Sequence, residues 1–348
     1  MCPVSNVNDV PVSTRRVKDA GFPLSRERRS LLHVFTWLRR NGARPFARWH
    51  HGDMSPPRAP PHLSPSGSLA ALHLGVALFG FAGLFGKWIA WDPVAIVLGR
   101  TTVAALVLAF VVRYRKGALP LPALAMTPNG VILAVHWIAF FTAIKVSTVA
   151  IGLLGYASFP MFVPLLERVM LGIPMRRGEM AKAALVALGL VLLVPEFTWE
   201  SHTVRGLTWG ILSGFTFALM TVRTRKLSPD RWSSEMALWQ NAFAALCVAP
   251  VVAWQGGLGG SVTAHTLLLV VLLGVFCTAL AHTLFIASLA RLSAATVAVV
   301  AALEPVYGIL LAMWLLAEVP DLRTIAGATL LVTAAILASR RAHAMPMG

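Results

Sequence analysis

The sequence predicts an all-α membrane protein of ten transmembrane helices, arranged as two inverted five-helix repeats. Three observations predict it. Of the 348 residues, 57% are hydrophobic and only 13% are charged, about half the charge of a soluble domain, and the mean hydropathy is +0.72. The apolar residues fall in blocks of about 20, the number that crosses a roughly 30 Å hydrocarbon core at ~1.5 Å per residue. The two halves of the chain also resemble each other, and each holds five blocks. The first observation alone excludes soluble enzymes, disordered chains and collagen-like chains.

Residues 1–68 are of another kind. They hold 11 of the 30 Lys and Arg residues and 4 of the 14 Asp and Glu residues, with no apolar run long enough to span or to act as a secretory core. They read as a basic, disordered cytoplasmic tail. Residues 31–40 (LLHVFTWLRR) could alternatively form a short amphipathic turn on an anionic lipid surface, and Met54 reads as an alternative start. The net charge of +16 would suggest nucleic acid in a soluble chain. Here its placement between apolar blocks gives it an orienting role instead, and no nucleic-acid partner is expected.

The ten blocks are 69–89, 93–112, 129–146, 148–166, 180–194, 206–222, 235–254, 267–289, 295–316 and 322–338. The first five make one unit, 69–196, and the last five a second, 205–339. Alternating ten-residue segments of the kind a barrel needs are absent. With the N-terminus in the cytoplasm, 14 basic residues of the connections fall inside and four (Lys87, Lys145, Arg205, Arg323) fall outside. That bias places both termini in the cytoplasm. Trp88, Trp91, Trp209, Trp232 and Trp254 lie at block ends, where an aromatic belt belongs.

The repeat is read from polar and proline matches rather than from apolar similarity. HWIAFFTAIKVSTVAIGLLGYASFP (136–160) lies over HTLFIASLARLSAATVAVVAALEP (282–305), pairing His136 with His282, Lys145 with Arg291 and Pro160 with Pro305. A second alignment pairs Arg100 with Gln240. Because five is odd, the second copy enters the membrane from the opposite side. Such inverted repeats suit secondary carriers, whose two halves exchange conformations to open each face in turn.

At this point the sequence resembles the drug/metabolite transporter superfamily, of the ten-helix EamA type. The resemblance covers 69–339 and rests on Gly99-Arg100, on SFPMFVPLLERVMLG (158–172) and on LEPVYGILLAMWLLAE (303–318). It implies a central cavity lined by the first, third, fourth, sixth, eighth and ninth spans, and export from a bacterial cytoplasm across the inner membrane. The first copy has Phe159-Pro160 where the second has Glu304-Pro305, so acidic chemistry at this place is single-sided.

Charged groups at mid-membrane cost roughly 2.5–3.5 kcal/mol, so those present usually face a cavity or a partner. Glu304 is the one acid deep in a block and is a candidate coupling carboxylate, or a packing residue that fixes the two halves in register. Arg100 could hold a substrate carboxylate or phosphate, or serve a structural role. His136 and His282, at matching positions, could relay protons or contact solute, or simply pack. Trp137 and Phe141 share a helix face and would suit an aromatic or aliphatic solute. Pro160 and Pro305 break their spans at similar depth and point to the binding region. Tyr156 and Tyr307, in the same stretches, complete the candidates.

Cys2, Cys247 and Cys277 have neither metal-ligand nor CxxC spacing. They read as small core residues, and no metal, cofactor or disulfide framework is expected. No HExxH, GxSxG, Walker or clustered-Asp motif is present, so an enzyme is not expected and energy must come from a gradient, protons being one candidate. The function expected is a secondary transporter exporting a small metabolite, an amino acid or similar. The alternatives are a flippase for a lipid-linked substrate and a non-transporting sensor or assembly factor. Oligomeric state is not legible.

Overall fold

The computed structural model describes residues 64–119, 124–174, 177–193, 198–227, 232–289, 291–292, 297, 300–301 and 303–340. The basic segment 1–63, with Met54 and the 31–40 stretch, lies outside the described residues, as does most of the beginning of the ninth block.

Every regular element among the described residues is helical. The helix α1 (Pro65–Trp88) starts where Ser64 Oγ accepts from Gly67 N at 3.1 Å and Pro65 takes the first turn, a position where a missing N–H is harmless. Pro93 opens α2 (Pro93–Lys116), and Gly117, at φ 73°, closes it. Arg113, Arg115 and Lys116 fill its last turn, where cations offset the helix dipole. A short 3-10 turn (Leu124–Met126) leads into α3 (Thr127–Val146).

The fourth span is broken into α4 (Val149–Tyr156) and α5 (Phe159–Leu171), with Pro160 in the first turn of α5. The break predicted at Pro160 is therefore present. Then follow α6 (Arg177–Leu192), α7 (His202–Leu227) and α8 (Ser233–Trp254). The eighth span is α9 (Ala264–Gly274) and α10 (Ala281–Leu289), joined without interruption by a π-helical turn (Val275–Leu280). The chain ends in α11 (Glu304–Leu316) and α12 (Leu322–Arg340).

Six segments among the described residues are long and apolar enough to cross a membrane: Ser66–Trp88, Pro93–Lys116, Leu124–Val146, Val149–Leu171, Ser233–Trp254 and Ala264–Leu289. The protein is thus a multi-pass membrane protein. The remaining helices differ for physical reasons. The helix α7 is long enough, yet it carries Arg205, Arg223, Arg225 and Lys226 among several Ser and Thr residues. The helices α6 and α11 are short, at 16 and 13 residues.

Packing follows a regular scheme. The main partners of α1 are α10 and α11, and those of α7 are α3, α4 and α5. The helix α2 packs on α8, α9 and α3; α8 packs on α2, α3 and α10; α6 packs on α12; and α4 packs on α11. The core at these crossings is aliphatic and aromatic, with Phe79, Leu84, Phe85, Phe140, Phe141, Tyr156 and Phe217 all buried. Cys277 belongs to this core, but Cys247 is exposed on α8, which corrects its reading as a core residue: it lies beside the exposed Leu246 on the outer side of that helix.

Backbones touch where α4 crosses α7. A Cβ added to Gly155 would sit 2.9 Å from Gly210 Cα, and one added to Gly210 would sit 2.8 Å from Gly155 Cα. Both obstacles are backbone, so a larger residue must push the helices apart, the close approach that small residues permit in membrane bundles. Gly155→Val is expected to cut the yield of monodisperse protein several-fold in detergent size-exclusion chromatography, whereas Leu212→Val, on an exposed position of α7, should leave it unchanged.

Outside the spans, Asp321 caps α12 by accepting from Thr324 N at 2.7 Å. The Thr324 hydroxyl, followed by that N–H, holds the Asp321 carboxyl below the ordinary carboxylate range. The cap is at full strength above the unfolded carboxylate pKa of ~3.9 and is lost as pH falls below it through the folded value. The protection factor of the Thr324 amide, the unstructured exchange rate divided by its own at the same pH, should fall only on acidification in that window; equal protection factors at pH 2 and pH 6 would contradict the cap.

Candidate functional site

Seven of the candidate side chains converge in the middle of the bundle. Arg100, on α2, is fully buried. Its Nε donates to Thr278 Oγ1 at 2.9 Å and its Nη2 donates to the Cys277 carbonyl at 3.0 Å. Both acceptors belong to the π-helical turn. Thr278 Oγ1 in turn donates to Leu273 O, five residues back, at 2.8 Å. The wider turn re-routes the carbonyls of one helical turn, which is how such turns present backbone groups at functional places.

The guanidinium carbon lies 3.5 Å from the Trp137 ring centroid and 5.3 Å from that of Phe141. The shared face read for residues 137 and 141 is thus the one turned toward Arg100. Stacking on aromatics and donating in a fixed fork are both particular strengths of arginine.

Around this pair stand both histidines. His136 Nδ1 lies 2.9 Å from the carbonyl oxygen and 2.9 Å from the hydroxyl of Ser213. His282 Nδ1 lies 3.2 Å from Asn241 Nδ2, which also donates to Ala237 O at 2.8 Å. Both rings are buried and within range of the Arg100 charge.

Glu304 opens α11 and is buried at 2% exposure. It lies within the ninth block, with helical residues 297, 300 and 301 before it, and in the first turn of α11. There its carboxyl meets the positive end of the α11 dipole. Its hydrogen-bond partner is the Tyr156 hydroxyl at the end of α4, and its charge interacts with that of Arg100. Tyr156 packs on Phe140, Phe159 and Phe217 at centroid distances of 6.0, 5.5 and 5.3 Å.

The other three candidates lie apart from this cluster's polar core. Pro160 and Pro305 each occupy the first turn of a helix, α5 and α11. Residues 297, 300 and 301 are helical before Pro305, so Pro305 stands in the ninth block as Pro160 does in the fourth. Tyr307 is half-buried and shares a 3.3 Å hydrogen bond with His73 Nδ1 of α1. Sequence reasoning missed Thr278, Cys277 O, Ser213, Asn241 and His73 as partners. The adjacent pair Gln240-Asn241 in an otherwise apolar block was a usable signal; the π-helical turn VFCTAL had none.

Ion pairs sit toward both ends of the bundle. At one end Lys87 Nζ donates to Ser147 O at 2.6 Å and lies 3.9 Å from Glu318. Glu318 also accepts from Val149 N, at the start of α4, at 2.9 Å. Lys145 donates to Ile89 O at 2.9 Å at the same end. Toward the other end Arg225 meets Glu167 at 3.2 Å, and Arg223 donates to Asn129 at 2.9 Å. Val149 and Glu167 belong to one span, ~27 Å apart at helical rise.

A buried cluster of Arg, Glu and His thus sits within the bundle. Residues 204–340 match the EamA-like transporter family. The match covers the C-terminal part of the chain. Its sequence is also similar to the pseudopaline exporter CntI of Pseudomonas aeruginosa, in strain UCBPP-PA14 and in strain PAO1. In each case the match is 28% identical over 247 residues, covering 70% of this chain and 85% of the exporter. A protein of known crystal structure aligns with a TM-score of 0.59 at 20% identity, over 81% of this chain and all of its own, which is a likeness of fold. The matched stretch begins within α7 and includes Asn241, the π-helical turn, His282 and Glu304. The protein is thus a multi-pass membrane protein whose C-terminal part is similar to a transporter family.

Proposed function

We propose that the protein is a secondary carrier of ten spans that exports a small metabolite, an amino acid or a similar solute, from the cytoplasm by alternating access. The observation that carries this reading is the exchange symmetry of the packing. Replace α1, α2, α3, α4 with α5, and α6 by α7, α8, α9 with α10, α11, and α12, and the main pairings map onto one another. The pair α1 with α10 becomes α7 with α3, and α1 with α11 becomes α7 with the fourth span. The pairs α2 with α8, α4 with α11, and α6 with α12 map onto themselves. Two halves that play interchangeable roles are what inverted repeats need to open each face in turn.

The ion pairs fit the same exchange. Lys87 ends α1 and meets the connection after α11; Arg225 lies near the end of α7 and meets the later part of α5. Under the cytoplasmic N-terminus, the first pair closes the outer face and the second the inner face. Glu304, Arg100 and the two histidines lie between them and serve solute binding and coupling, with Glu304 as the proton-linked group. The similarity to the exporter CntI supports the outward direction.

The flippase reading has one observation of its own, a groove of about 380 Å³ between α11 and α12 beginning at Pro305. Its walls, among them Ile309, Leu310, Met313 and Val332, suit an acyl chain but give a polar headgroup little to bind. The test of export is the metabolite content of cells and medium with wild type, with Glu304→Gln and with no carrier. Wild type should move at least one small polar metabolite into the medium several-fold more than either control; identical profiles in all three would end the proposal.

A further inference from the structure

We infer that Arg100 and Trp137 together form the recognition site for a carboxylate group on the transported solute, an assignment that rests on the carrier reading above. Arg100 is held but not satisfied. Its Nε and Nη2 are bonded to Thr278 and Cys277 O, whereas Nη1 is buried with no partner. The Trp137 indole N–H is likewise buried with no partner. The guanidinium lies over that ring at 3.5 Å, so the two idle donors are close neighbours.

Charge leads to the same conclusion. Among the described residues no carboxylate lies within ion-pair distance of Arg100; the pairs found join Lys87, Lys116 and Arg225 to other acids. Glu304 interacts with Arg100 but gives its hydrogen bond to Tyr156. A buried cation without a paired anion is expensive, several kcal/mol in typical cases, and so is a buried donor with no acceptor. One carboxylate removes both deficits, one oxygen for Nη1 and one for the indole N–H. The remaining arms of Arg100 are anchored to the π-helical turn, so the fork is aimed before solute arrives. Nearby Phe141, Phe140 and Tyr156 offer apolar surface to the rest of the solute.

The test is binding, which does not require transport. Thermal unfolding of the purified full-length protein in detergent is followed with benzoate, benzamide and phenyl phosphate as probes, for wild type, Arg100→Lys and Trp137→Phe. The last variant keeps a stacking ring while removing the N–H with the smaller indole ring, so it guards against misfolding of the arginine variant. Benzoate should stabilise wild type while benzamide does not. Trp137→Phe should raise the half-saturating benzoate concentration about tenfold, the size of one charge-assisted hydrogen bond. Equal stabilisation by benzamide, no stabilisation by benzoate, or an unchanged half-saturation in Trp137→Phe would overturn the assignment. A larger shift with phenyl phosphate would reassign the site to phosphate and overturn it as well. If benzoate binds as stated but no solute is exchanged across a bilayer, the carrier reading fails and the carboxylate site stands.

Discussion

Glu304→Gln is expected to lower transport at least tenfold while leaving folded yield and melting temperature close to wild type. Glutamine has nearly the same shape, and its carbonyl oxygen can still accept from Tyr156, so the contact at the junction of α4 and α11 persists. What disappears is the ability to bind and release a proton and the longer-range interaction with the charge of Arg100. A carboxyl kept at 2% exposure inside a membrane bundle carries a standing cost, and a packing role alone would be met as well by the amide. Initial rates at two pH values separate the cases. Wild-type rates should change with pH and Glu304→Gln rates should not. Wild-type rates in the variant at both pH values would reduce Glu304 to a packing residue.

The second large effect concerns the ion pairs. Glu318→Gln breaks the contact to Lys87 and weakens the one to Val149 N; Glu167→Gln breaks the contact to Arg225. Partly exposed pairs contribute at most about 1 kcal/mol each, so either change should shift the balance of open states up to about fivefold. The chain supplies its own reporter. Cys277 is buried beside Arg100 and Cys247 is exposed, so a Cys2→Ser, Cys247→Ser background leaves one thiol at the centre. A membrane-impermeant maleimide should reach Cys277 faster from outside in Glu318→Gln and faster from inside in Glu167→Gln. Faster labelling from the same side in both variants would contradict the reciprocal arrangement.

Composition and periodicity located most helices because burial in lipid demands long apolar runs. The blocks 93–112 and 235–254 correspond to Pro93–Lys116 and Ser233–Trp254, and Pro160 marks the break between α4 and α5. The face shared by Trp137 and Phe141 follows from helical spacing, and the structure sets Arg100 against it. Tertiary choices were not legible. The π-helical turn accepts two hydrogen bonds from Arg100, 177 residues away from Cys277, and nothing local in VFCTAL encodes that contact. Pro305, like Pro160, stands in the first turn of the later helix of its block, with Glu304 beside it, because proline is at ease in a first turn. Tyr307 was grouped with the centre through its sequence neighbours, but its hydroxyl reaches His73 on α1, a pairing set by how α1 and α11 cross.

The most direct measurement is solute counterflow in proteoliposomes containing the full-length protein and loaded with a mixture of amino acids and related metabolites. The result predicted is transient accumulation of at least one labelled solute above its external concentration, driven only by outward movement of its unlabelled counterpart, at a rate that depends on pH. Folded, monodisperse protein that exchanges nothing across the panel at either pH would contradict the carrier.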